Sequence, residues 1–226
     1  MAVQIIVDST ADFSAKEIEK RQITCIPMTV TFGNEQYIDG VDLTKEEFFV
    51  KLTNEKEFPK TSQPSPAKFA DCFEEAKENG DDVVAILVSG ALSGTVQSAT
   101  IAKDIAEHDG VYIVDSKSAT LGIRLLVDRA VRMRDQGKSA KEIADALDEL
   151  KARVRIFAGL DTLEYLQKGG RISKTAASIG RLAGIKPIIT IDEEGKVAVC
   201  GKQRGNKNVF RQIIKYVKAD MPDENY

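Results

Sequence analysis

Short apolar runs alternate with amphipathic segments along most of this chain, and that alternation limits its fold more than any other feature. Residues 83–88 are a continuous apolar run, and 3–7 and 111–114 are similar short stretches, too short for helices. Such runs read as strands buried on both faces, which calls for a parallel sheet covered by helices. Between them, apolar residues recur three or four apart, predicting helices over 13–20, from 45 onward, 66–79, from Ser93 towards Glu107, 121–136 and 140–151. The pattern is that of an α/β protein, with a mainly parallel sheet flanked by helices.

Local signals set the ends of these elements. Thr44 with Glu47 forms a capping box, and Ser65 followed by Pro66 is a cap with a first-turn proline. Asp12 is expected to cap the first helix. Residues 23–32 read as one extended stretch, and 34–39 as a turn with a hairpin return. The two prolines of KTSQPSP (60–66) keep that segment extended. After about residue 152 the pattern changes to a strand (154–159), a helix (162–167) stopped at Gly169-Gly170, a helix (173–182) and a strand (185–191). A turn, a return strand (196–200) and an amphipathic helix (206–218) follow. The reading is therefore two α/β domains, 1–152 and 153–226, the second smaller with a mixed sheet and closely packed on the first.

Composition narrows the function. The net charge is -3 and no basic stripe is visible, which argues against nucleic acid as a partner. Cys25, Cys72 and Cys200 are odd in number and lack CxxC spacing, so neither a zinc site nor a disulfide framework is expected. No metal or other cofactor is implied. The chain enters a strand pattern at once and no apolar run approaches a membrane span, giving a cytoplasmic expectation with no integral membrane segment.

The segment Ser89-Gly90-Ala91-Leu92-Ser93-Gly94-Thr95 lies between a buried strand and a helix. First-turn N–H groups, with the hydroxyls of Ser93 and Thr95, suit an anion at the carboxyl end of a parallel strand. A simple helix cap by Ser93 is the alternative. The segment is not a P-loop, for no lysine follows Gly94, and its GxxSG spacing is not the GxSxG of a hydrolase nucleophile. The one histidine, His108, sits in a polar turn where solvation is expected, so no catalytic residue is assigned. Thr61 and Ser62 add hydroxyls on an extended loop, and neutral donors contribute about 1 kcal/mol each. Residues 8–12 and 115–116 also follow strands and either line the same crevice or cap helices. Arg171 stands beside a glycine-stopped helix, which a plain C-cap also explains, and Arg204 stands in another glycine-rich turn.

Taken together, VDSTAD (7–12), IPMTV (26–30), TSQPSP (61–66), SGALSGTVQSA (89–99), VDSKSATLG (114–122), LEYLQKGGRIS (163–173) and IKPIITI (185–191) resemble the DegV family over nearly the whole chain. The resemblance implies a two-domain α/β protein holding a long-chain fatty acid in a tunnel between or beneath the domains. It further implies a non-enzymatic subunit of bacterial fatty acid kinase, presenting the carboxylate to a separate ATP-dependent kinase subunit for acyl phosphate formation. Carried over, Ser93 and Thr61 bind the carboxylate, with Ser62, Gly94 and Thr95 close by, and Arg171 and Arg204 face the kinase partner or phosphate. Ile26, Leu92, Leu163, Leu166, Ile172, Ile179, Leu182, Ile185 and Ile188 are tunnel-wall candidates. A palmitate-length tail gains about 0.8 kcal/mol per buried methylene, roughly 12 kcal/mol gross, so the tail supplies affinity and the hydroxyls orientation. The family usually continues with a further segment carrying a histidine, which leads to the expectation of an incomplete second domain. Arg124 stands where the family commonly has glycine, which puts close packing at the crevice in question. A phosphotransferase related to dihydroxyacetone kinase, or a regulatory interaction protein, are the competing readings.

Overall fold

Alternation of side chains along each strand decides how the first part of the molecule is layered. The computed structural model describes residues 2–55, 57–174 and 184–220, and the chain divides into two units, Met1–Val154 and Arg155–Tyr226. The first unit runs β1 (Val3–Asp8), a 3-10 turn (Ser9–Ala11), α1 (Ala15–Arg21), β2 (Ile23–Ile26), β3 (Thr29–Phe32), β4 (Glu35–Ile38) and α2 (Lys45–Asn54). It continues with β5 (Lys60–Ser62), α3 (Pro66–Glu78), β6 (Asp82–Leu87), α4 (Thr95–Ala106), β7 (Val111–Asp115), α5 (Leu121–Asp135) and α6 (Ala140–Lys151).

The main sheet has the order β2-β1-β6-β7 and every pairing in it is parallel. On one face Ile5, Val7, Val84, Ile86 and Val114 pack with Ile123, Leu126 and Val127 of α5 and Ile143 and Leu147 of α6. On the other, Ile6, Val83, Ala85 and Leu87 pack with Phe69 and Phe73 of α3 and Ala99, Ala102 and Ala106 of α4. Odd and even positions of one strand thus feed two separate cores, which is why the middles of these strands are apolar on both faces. A second, antiparallel sheet, β4-β3-β5, holds its own small cluster around Val30, Phe32 and Leu43.

The stretch 23–32 is two strands in different sheets. Pro27 has no N–H with which to continue the ladder, and Met28 N donates instead to Ser9 Oγ at 3.1 Å. The first helix is capped by Ser14, not Asp12. Ser14 and Glu17 form a reciprocal capping box, while Asp12 takes a left-handed conformation ending the preceding turn. His108 is held rather than solvated: Nε2 lies 2.8 Å from Asp81 O, and Nδ1 accepts from Gly110 N at 3.3 Å. Arg124 turns away along the surface. It donates to Asp12 O at 3.0 Å, pairs with Glu17, and lies 4.4 Å over the Phe13 ring, so its bulk meets α1.

The second unit comprises β8 (Phe157–Gly159), α7 (Glu164–Lys168), β9 (Ile185–Ile191), β10 (Val197–Arg204) and α8 (Asn206–Ala219). The predicted strand 154–159 is shortened to its last half, and the predicted helix 173–182 falls almost wholly outside the described residues. The sequence pattern suggested a mixed sheet; the described strands, in the order β10-β9-β8, pair antiparallel. One face of this sheet meets α8 through Val209 and Tyr216, whose Oη donates to Cys200 O at 2.9 Å. A Cβ at Gly201 would come within 2.6 Å of that hydroxyl, so a larger residue there would displace the Tyr216 ring. The other face carries Ile189, Val197 and Val199 against Leu160, Leu163, Leu166 and Ile172.

Candidate functional site

The order β2-β1-β6-β7 contains a reversal: from β1 the chain builds β2 on one side and later β6 on the other. Open parallel sheets hold ligands at the carboxyl ends of strands beside such a reversal. Here the loops after β1, β6 and β7 are tied to one another. Asp8, fully buried at the end of β1, accepts from Thr10 N at 2.9 Å and from the Thr10 hydroxyl, and its other oxygen accepts from Val88 N at 2.8 Å. Burial pushes the Asp8 carboxyl above its ordinary value, and these three donors oppose the rise. Ser89 N donates to Ser118 O at 2.9 Å, and Thr120 N to Thr10 O at 3.1 Å. Asp115 Oδ1 accepts from Gly90 N at 3.2 Å and Lys117 N at 3.0 Å, while Lys117 Nζ sits 3.1 Å from Oδ2.

On this scaffold the chain turns from β6 into α4. Leu92 N and Ser93 N both donate to Ser89 O, at 2.9 and 3.1 Å. The residue preceding α4 is Gly94, and the helix has no side-chain cap. Ser93 is therefore not the cap. Its Oγ lies 2.9 Å from Thr95 Oγ1, with Thr95 fully buried and Ser93 half-buried. Two hydroxyls so placed share one proton between them. When Thr95 donates to Ser93, the Ser93 proton remains to be given outward, polarised by the bond behind it. An uncapped helix start beside that outward donor suits a single negative head group.

The TSQPSP loop reaches the same place. Thr61 and Ser62 lie in β5, opposite Val30 and Thr29 of β3, and both are exposed. The next residue, Gln63, lays its carboxamide over Gly94, where a Cβ would meet Gln63 Nε2 at 2.5 Å. Gln63 Nε2 also donates to Ser98 Oγ at 3.3 Å. The structure thus brings the hydroxyl loop to the first turn of α4.

The remaining candidate residues fall elsewhere. Ile26 is buried in the α3–α4 core, and Leu92 is half-buried against the α5–α6 core. Leu163, Leu166 and Ile172 share one cluster in the second unit. Ile188 is fully buried on the opposite face of its sheet, towards Tyr216, and Ile185 is half-buried at the start of β9. Ile179 and Leu182 lie outside the described residues. Arg171 is exposed and donates to Gly169 O; Arg204 is exposed at the end of β10. The three cysteines are free thiols, and burial, with Asp8 and Asp39 nearby, pushes Cys25 up to about 12. Among the described residues, no cluster of His, Cys, Asp or Glu could hold a metal, and no helix is long and apolar enough to cross a membrane.

A family model described as uncharacterised proteins of the DegV family matches residues 2–226. The chain belongs to the DegV family. A DegV domain-containing protein of Caldanaerobacter subterraneus is 39% identical over 216 residues, covering 96% of this chain and 76% of that one. Among solved structures, a stearic acid-binding protein from Eubacterium ventriosum superposes with a TM-score of 0.88 at 34% identity, covering 98% of this chain and 77% of the other. The fatty acid kinase (Fak) B3 protein of Streptococcus pneumoniae, loaded with linoleic acid, gives a TM-score of 0.86 at 25% identity over 97% of this chain and 79% of that one. The first of these two structures is thus described as that of a fatty-acid-binding protein, and the second as loaded with a fatty acid.

Sequence reasoning left two residues of this site without a definite role. The bond from Asp8 to Val88 joins positions distant in the chain, although the Asp-x-Thr spacing signals its local half. Nothing local to TSQPSP marks Gln63.

Proposed function

We propose that this DegV protein is a non-catalytic carrier that buries one long-chain fatty acid in an apolar tunnel and presents its carboxylate to a separate ATP-dependent kinase subunit. The observation that carries this reading is the Ser93–Thr95 hydroxyl pair at the start of an α4 that has no side-chain cap. Ser93 and Thr61 meet the carboxylate, with Ser62 and the Gly94 N–H close by. Each neutral donor contributes about 1 kcal/mol net, so the group orients the ligand while burial of the tail supplies most of the affinity. Arg171 and Arg204 face the kinase partner or the phosphoryl group. The fatty acids bound by the structural relatives support the ligand class, and the pneumococcal relative supports the kinase partnership.

Solvent extraction of the denatured, purified protein followed by mass spectrometry tests the first half. Release of long-chain fatty acid, or uptake of added oleate by stripped protein, is expected; absence of both defeats the reading. The second half is tested by acyl phosphate formation with a kinase subunit, where Ser93→Ala with Thr61→Ala should reduce product. Sustained ATP turnover by the isolated chain with fatty acid would overturn the carrier assignment.

A further inference from the structure

Gln63 is an exposed side chain with an unusually constrained position. Its carboxamide lies so close to Gly94 that any side chain at that position would displace it, and it is bonded to Ser98 in the next turn of α4. The strand that ends just before it, β5, pairs with β3 through Thr61 and Ser62. Gln63 therefore fastens the hydroxyl loop to the start of α4, directly beside Ser93 and Thr95.

We infer that Gln63 is a positioning and specificity-determining residue, a neutral latch that holds Thr61 and Ser62 at the carboxylate site without supplying a competing charge. This rests on the carboxylate reading proposed above. The chemistry explains why an amide suits the position. A carboxamide can donate to Ser98 and still leave the positive end of α4 to a ligand. A carboxylate of the same shape would be attracted to that uncapped helix start, would satisfy its N–H groups, and would repel the ligand's negative head. A purely structural latch makes a different forecast, because it would disturb charged and uncharged ligands alike.

Gln63→Glu is therefore the informative substitution, read with two ligands of equal tail length, oleate and oleyl alcohol, on the full chain. The expected result is an oleate affinity lowered on the order of tenfold, with oleyl alcohol affinity unchanged and thermal stability no lower than wild type. Gln63→Ala, which frees the loop without adding charge, should weaken oleate less than Gln63→Glu does. Equal loss of both ligands in Gln63→Glu, or oleate bound as tightly as by wild type, overturns the inference. Wild-type protein that takes up oleyl alcohol but not oleate would instead overturn the carboxylate reading itself, a distinct outcome.

Discussion

Replacing Ser93 by Ala and Thr95 by Val, singly and together, tests whether the two hydroxyls act as one unit. Thr95 is fully buried, and among the described residues its hydroxyl is bonded to Ser93 Oγ, at 2.9 Å. In the proposed site Ser93 bonds the carboxylate, and such a charge-assisted bond is worth about 1.5–3 kcal/mol. Ser93→Ala should then weaken oleate by roughly 10- to 150-fold, at a decade per 1.4 kcal/mol. Thr95→Val removes only the polarising bond behind Ser93, and about 0.5–1.5 kcal/mol, or roughly 2- to 12-fold, is expected. Because Thr95 acts through Ser93, its effect should disappear in the Ser93→Ala background, giving a coupling energy as large as the single effect. Titration calorimetry with oleate on stripped protein measures all four corners. Thr95→Val weakening oleate equally in both backgrounds would refute the relay, and Ser93→Ala binding as wild type would refute the site.

Asp8→Ala leaves the buried Val88 N–H without its acceptor and releases Thr10, so a loss of at least about 2 kcal/mol in denaturant unfolding is expected. Arg124→Ala removes the bond to Asp12, the pair with Glu17 and the contact over Phe13; about 1 kcal/mol of stability should go while oleate affinity is unchanged. Acid should weaken the fold through Glu17 and Glu142, both lowered from 4.5 to about 2, mainly by capping-box bonds to Ser14 for Glu17 and by Lys138 with Ser139 for Glu142. A depressed carboxyl stabilises the native state above its unfolded value and loses that contribution as pH falls. The melting temperature should therefore decline between about pH 4.5 and 2, and Glu17→Gln with Glu142→Gln, which keeps the caps but removes the titration, should flatten that decline.

What could be read from the sequence follows the range of the interactions involved. The capping boxes at Thr44 and the Ser65-Pro66 start depend on residues within four positions, and both appear as expected. The buried strands were visible because a parallel strand must be apolar on both faces. Asp12 was mistaken for a cap because Ser14 with Glu17 carries the same type of signal two residues later. Residues 23–32 hid a change of sheet, since β-branched content is alike in both halves and only Pro27 marks the break. At the candidate site, the loop's position singles out Ser93 and Thr95 as candidates, whereas the start of α4 at Gly94 with no side-chain cap is visible only in the backbone. The clasp between Gln63 and Gly94 and the bond from Asp8 to Val88 join distant segments, and neither leaves a periodic trace.

The three residues that follow one another at the exit of β1 have a wider effect than their size suggests. Asp8 holds the end of β6, Ser9 holds the backbone beyond β2, and Thr10 receives the start of α5 through Thr120. In the proposed carrier, the floor beneath the ligand's head is consequently assembled when the protein folds, and little backbone ordering is left for the encounter itself. Association with a fatty acid should then be governed by how readily the hydrocarbon finds its way in, and the polar end should meet donors already aligned to receive it.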